Sequence, residues 1–262
     1  MANRLFLYID ILGFKDLVKS GGDIAMLYKT IDELNVHRDR DFTCIVFSDT
    51  ILVYGAENWL GVPNQGVMWL IEFAQDLFFR LIPKDIHFRA YVTLGDFEHY
   101  KLENFEAYYG EALIECYERE KEIKCTGVFL DAKLVQHCDI FKVSQFNNNA
   151  YYVHVMQNLD MVSLPYDDYP NSALGEYIMA TGMEWWIAYQ LHYLKGIFGK
   201  ATDPSLSNEV QLKFQNAWKM IEQRHDGLVR RLTGSRFDFQ SVIDLDWTQP
   251  LARIGTKNGA FG

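Results

Sequence analysis

Two apolar runs of strand length, each closed by an aspartate, constrain the fold of this chain more than any other feature. The first, Leu5-Phe6-Leu7-Tyr8-Ile9, ends at Asp10; the second, Cys44-Ile45-Val46-Phe47, passes Ser48 and ends at Asp49. Residues of this β-branched and aromatic kind favour buried strands, so each acid stands where a strand emerges from the core. A third apolar run, 51–54, begins almost at once after Asp49. So short a connection predicts a tight hairpin with Asp49 at its tip. Two acids at neighbouring strand ends can share a divalent cation. The simpler alternatives are that Asp10 caps the helix starting near Phe14 and that Asp49 is only a turn residue.

In chain order the pattern predicts a strand over 5–9, a short helix after Gly13 stopped by Gly21 and Gly22, and a helix over 24–34. Hairpin strands over 42–47 and 51–54 follow, then an apolar helix over 67–82 ended by Pro83. A strand over 87–94 is turned by Gly95 and Asp96, Gly110 introduces a helix from 111 to about 123, and a strand over 127–130 completes the series. This β-α-α-β-β-α-β-α-β order predicts an α+β fold: a mixed sheet with a ferredoxin-like core and helices mainly on one face. Segments 150–156 and 161–164 read as two more strands. From 173 onward the spacing turns helical, over 176–197 and 208–225, with a break at 199–204. The expected division is a domain over 1–165 and a mainly helical C-terminal extension over 166–262, in which Trp185, Trp186 and Trp218 serve packing.

A chain of 262 residues, 49% hydrophobic and 15% aromatic, can bury a substantial core. Its net charge of −10 argues against a nucleic-acid partner. The cysteines Cys44, Cys116, Cys125 and Cys138 show no CxxC spacing, which fits a reducing cytoplasm rather than a zinc site or disulfide framework. The most aromatic later stretch, 183–198, is interrupted by Glu184, His192 and Lys195, and the first apolar run is too short for a leader. No membrane partner is expected.

Tyr-Ile-Asp-Ile-Leu-Gly-Phe, with the hairpin Asp 39 residues after the first (49 minus 10), resembles the metal-binding pattern of class III nucleotidyl cyclases. With Phe-Ser-Asp-Thr-Ile-Leu-Val-Tyr, Phe-Arg-Ala-Tyr-Val-Thr-Leu-Gly-Asp and Gly-Glu-Ala-Leu-Ile-Glu-Cys-Tyr-Glu, the first half of the chain is similar to the pyrimidine cyclases of the Pycsar anti-phage system. The resemblance implies a cyclase domain in which Asp10, Asp49 and the carbonyl of Ile11 hold two Mn²⁺ or Mg²⁺ ions. Gly13 and Phe14 would lie against the nucleotide triphosphate. It also implies a twofold homodimer with sites between subunits, UTP or CTP as substrate, and a separate effector that binds the cyclic product.

Hard cations of this kind take oxygen ligands and few protein carboxylates, since phosphates and water complete the shell. Transition-state charge also calls for a cation. Matching the family on Gly110 puts Ile114 and Glu118 where purine cyclases carry Asn and Arg. Arg119 is one residue away, and Arg89, a charge within an apolar strand, is the preferred alternative unless it pairs with Asp96 or Glu98. Purine-reading positions fall at Ile45 and Ala107, whose side chains cannot hydrogen-bond a base, while Phe47 and Tyr54 offer rings that could narrow the pocket. The competing reading is a catalytically inactive cyclase-homology module that binds a nucleotide or a partner.

Overall fold

In the computed structural model, which describes residues 2–38, 41–163 and 172–254, Leu5 to Ile9 are each no more than 3% exposed. A strand buried on both faces must be central in its sheet, and β1 (Ala2–Ile11) is. The other strands are β2 (Phe42–Phe47), β3 (Thr50–Gly55), β4 (Phe88–Lys101), β5 (Glu106–Tyr109), β6 (Gly127–Asp131), β7 (Val143–Gln145) and β8 (Ala150–Val153). They run in the order β2-β3-β1-β4-β6-β8-β7, with β5 paired to the far end of β4. The β4–β6 pair is parallel, and the other pairs are antiparallel. This is the mixed α+β sheet that the sequence predicts.

The first helices are α1 (Phe14–Lys19), α2 (Ile24–Asp32), α3 (Pro63–Leu81) and α4 (Glu111–Glu122). α3 starts four residues earlier than expected because Pro63 suits a first helical position, where its missing N–H costs nothing. A Cβ on Gly66 of α3 would meet the side chain of Leu5. On the other face, the Tyr8 ring meets Tyr117 of α4 at 5.5 Å. Residues 5 and 8 point to opposite sides of a strand, so α3 and α4 cover opposite faces. The expectation of helices mainly on one face is thereby corrected: five consecutive buried residues in β1 need cover on both sides.

β4 also differs from expectation, running without interruption through Gly95 and Asp96. Gly95 serves close approach rather than a turn, since a Cβ there would lie 3.3 Å from the Cα of Ala112 in α4.

The chain divides into two units, Met1–Leu81 with Ile86–Val155, and Ile82–Asp85 with Met156–Gly262. The second contains α5 (Leu159–Val162), α6 (Ser172–Thr181), α7 (Glu184–Thr202), α8 (Asn208–Gly234) and α9 (Thr248–Arg253). The strand expected over 161–164 is therefore overturned for 161 and 162, which are helical and pack Val162 inward; Leu164 lies outside the described residues. The single helix expected over 176–197 is broken where Gly182 takes φ +71 and Met183 N–H donates to the Ile178 carbonyl at 3.1 Å, a glycine C-cap. Trp218 packs on Phe198 and Phe237, with ring centroids 5.0 and 6.3 Å away.

α8 kinks at His225, whose φ of −120° and ψ of 36° are not helical. The imidazole is 4% exposed and its Nδ1 lies 2.7 Å from the Ser163 hydroxyl. Burial pulls its pKa down to about 4, with Asp160 opposing and Arg224 adding to the shift. Since the folded value lies below the unfolded one, the unfolded chain takes up the proton first. Stability is full above about pH 6.5 and falls by up to about 3 kcal/mol as pH drops toward 4. Melting temperatures measured across that window should show this slope, and His225→Gln should flatten it.

Candidate active site

At one end of the sheet, β1, the β2–β3 hairpin and β4 bring their charges together. Asp10 lies opposite Thr50 of β3 and Arg89 of β4. The hairpin closes in two residues, since Phe47 pairs with Thr50. Ser48 takes φ +56, which gives the turn the twist that adjoining strands need. The Ile11 N–H donates to the Asp49 carbonyl at 2.9 Å, fixing the hairpin tip beside the end of β1. Leu12 N–H donates to the His87 carbonyl at 2.9 Å, and Gly13 then turns the chain at φ +73 into α1, its carbonyl accepting from Asp16 and Leu17. Phe14 is buried beneath that turn.

Arg89 is 4% exposed. Its Nη2 donates to Asp10 Oδ2 at 2.8 Å and to Glu120 Oε1 of α4 at 2.9 Å, while Nη1 donates to the Ile123 carbonyl at 2.7 Å. The partners expected for a structural pair, Asp96 and Glu98, are thus not the ones it uses. Tyr8 completes the cluster: its hydroxyl donates to Glu120 Oε2 at 3.1 Å. Burial raises that phenol well above its ordinary range; a hydrogen bond with Thr50 opposes the rise, and the charges of Glu120 and Asp10 add to it.

The remaining expected site residues are spread more widely. Phe47 adjoins the hairpin tip and is 65% exposed. Tyr54 is not beside it: four residues beyond Thr50, it lies roughly 13 Å along the strand. There its hydroxyl meets His99 Nδ1 at 2.9 Å and its ring packs on Phe97 at 5.0 Å. The Phe47–Tyr54 aromatic pair is not assembled. Arg119 turns to acids of its own helix, donating to Glu122 at 2.7 Å with Glu115 at 3.9 Å, and does not reach Asp10. Ile114 and Glu118 lie on the exposed face of α4.

Glu120 and Tyr8 were not singled out by sequence reasoning. The signal was available for Glu120: it follows Ala112 and Cys116 at helical spacing, both fully buried, so an acid stands on the inward side of α4. Such a group needs a cation, and Arg89 needed an anion.

Among the described residues no group of three or more His, Cys, Asp or Glu side chains is disposed to hold a metal ion. The set at the sheet end is two carboxylates and the Ile11 carbonyl, all hard oxygen donors. That composition suits a magnesium-like ion whose shell is completed by substrate phosphates, not an all-protein cage. Burial pushes the Cys44 thiol up to about 12, and raises those of Cys116, Cys125 and Cys138. Among the described residues no helix is long and apolar enough to cross a membrane.

No protein-family model and no curated protein matches the chain. Among solved structures it is similar to a bacterial light-regulated adenylyl cyclase (9% identity, 59% of this chain and 52% of that one, TM-score 0.42). It is also similar to a guanylate cyclase domain from Catenaria anguillulae in complex with GTP (12% identity, 58% and 96% covered, TM-score 0.42). A third is the adenylyl cyclase CyaB from P. aeruginosa (10% identity, 58% and 93% covered, TM-score 0.39).

Proposed function

We propose that this chain is a nucleotidyl cyclase that acts on a pyrimidine nucleoside triphosphate, UTP ahead of CTP. The observation that carries the reading is the junction of Asp10 with the Asp49 turn through the Ile11 N–H. It brings the end of β1 and the hairpin turn together at one end of the sheet, directly before a left-handed glycine and a helix start, which supports a role for both acids at one site. In the reaction the ribose 3′-oxygen forms a bond to the α-phosphorus, the bond to pyrophosphate breaks, and the hydroxyl proton passes to solvent. Two bound Mn²⁺ or Mg²⁺ ions would supply a lowered hydroxyl pKa and neutralise the triphosphate. Asp10, Asp49 and the Ile11 carbonyl would hold those ions, and Arg89 orients the Asp10 carboxylate. Gly13 leaves room at the turn, since a Cβ there would meet nothing within 4 Å.

Support for a pyrimidine rests on Ile45 and Ala107, which give a purine edge no side-chain partner, and on Phe47 beside the acid hairpin. Tyr54 is left out of this role. Exposed apolar side chains on the β4–β5 hairpin and the outer face of α4, among them Phe105 at 61% and Ile114 at 60%, support a homodimer. A soluble, cytoplasmic enzyme whose cyclic product acts on a separate effector against phage completes the reading.

The competing reading, a module that binds without turnover, has one observation in its favour. The exposed face of α4 offers Ile114 and Glu118 where purine cyclases present Asn and Arg. One assay separates the two. Purified protein with Mn²⁺ and each of the four ribonucleoside triphosphates should release pyrophosphate and a 3′,5′-cyclic nucleotide, fastest from UTP. A preference for ATP or GTP would remove the pyrimidine assignment, and no release from any of the four would favour the module.

A further inference from the structure

Arg89 is a buried cation with more acid around it than one charge requires. Its Nη2 is shared between Asp10 at 2.8 Å and Glu120 at 2.9 Å, and the Ile123 carbonyl takes Nη1. The two acids differ in setting: the Asp10 side chain is 15% exposed and comes from a central strand, whereas Glu120 is 30% exposed and comes from a covering helix. Tyr8 steers Glu120 by donating to its other oxygen at 3.1 Å. An Asp10 carboxylate held by a guanidinium is a weakened ligand, because the same oxygen charge serves both cations. Any metal that engages Asp10 must draw charge from Arg89, and a buried Arg left without an anion is costly.

We infer that Glu120 is a positioning residue for the metal site: it keeps Arg89 neutralised so that Asp10 is released to a divalent cation. This rests on the cyclase reading for the identity of the site. It goes beyond that reading in assigning control of metal affinity to a residue of a covering helix, acting through its contact with Arg89.

Removing the Glu120 contact throws the demand of Arg89 onto Asp10 and so weakens metal binding. Two variants separate the contact from the general field of a negative charge. Glu120→Gln removes the charge; Glu120→Asp keeps it but draws it back by one methylene, breaking the 2.9 Å contact. Mn²⁺ binding to the full chain without nucleotide, read by the loss of the free-ion electron paramagnetic resonance signal, should weaken about tenfold in both variants. Cyclase turnover at saturating Mn²⁺ should return to within a few-fold of wild type, so the effect is on metal half-saturation rather than on kcat. Unchanged Mn²⁺ affinity in Glu120→Gln overturns the inference, as does a loss in Glu120→Gln with none in Glu120→Asp, which would reveal the field alone. Wild-type protein that binds no Mn²⁺ at all would instead sink the underlying cyclase reading. Melting temperatures taken in parallel confirm that each variant is folded during the titration.

Discussion

On the cyclase reading, Asp10→Asn and Asp49→Asn will each cut turnover by roughly a hundredfold or more, because each would remove one of the two carboxylates proposed to hold divalent charge at the strand ends. Their effects on stability will differ. From sequence, both acids look like exposed, mutually repelling groups whose loss would cost the fold little. The structure changes that for Asp10, which lies 2.8 Å from an Arg89 side chain only 5% exposed. Neutralising Asp10 leaves that cation leaning on Glu120 and the Ile123 carbonyl, at a cost of about 1–3 kcal/mol. Asp49 sits on a turn whose structural contribution is its backbone carbonyl, so Asp49→Asn should change stability by about 0.5 kcal/mol or less. Calorimetric melting beside the turnover assay checks both halves. Full activity in either variant would return that acid to a capping or turn role.

The largest expected loss of stability from a small change is at Gly110. Its φ of +154° is one that side chains rarely adopt, and a Cβ there would run into the Asp96 carbonyl oxygen and lie 2.7 Å from the Phe97 Cα. Those atoms belong to β4 where it pairs with Asn3 and Ala2 of β1, so they cannot withdraw without parting the two central strands. Gly110→Ala should therefore cost about 3 kcal/mol or more, seen as a fall of roughly 6–12 °C in melting temperature. Gly66→Ala offers a contrast, since the obstacle there is the end of the flexible Leu5 side chain. A Gly110→Ala protein that melts with wild type would show that the start of α4 is free to shift from β4.

What was legible in the sequence was whatever short-range pattern controls. β1 and the hairpin announce themselves through apolar runs and a connection too short for anything else, so the end of β1 and the hairpin tip are found beside each other. What was not legible depends on register. Tyr54 looks near Asp49 in the sequence, but an extended strand carries it away at about 3.3 Å per residue, into a contact with His99 on β4. Arg89 is conspicuous as a charge among apolar neighbours, yet its partners Asp10 and Glu120 come from β1 and α4, and no local rule names them. Gly95 reads as a turn because glycine often is one; only the approach of Ala112 shows why it is needed inside a strand. Similarly, Met161 and Val162 carry strand-like apolarity but lie in a single helical turn whose inward contacts are tertiary.

The place of β1 in the middle of the sheet has a consequence for how the chain acquires its shape. Ala2 pairs with Phe97 and Ile11 with Phe88, so β1 must wait until the chain has been made through β4 before its second neighbour exists. Contacts closing loops of that length are slow to form, and the residues around Asp10 come from segments ending as late as Glu120. Until β4 arrives, the β1–β3 pair presents an open, strongly apolar edge, the kind of surface that joins other chains. During synthesis this open edge therefore persists until just before the corner that carries Asp10 and Asp49 can close.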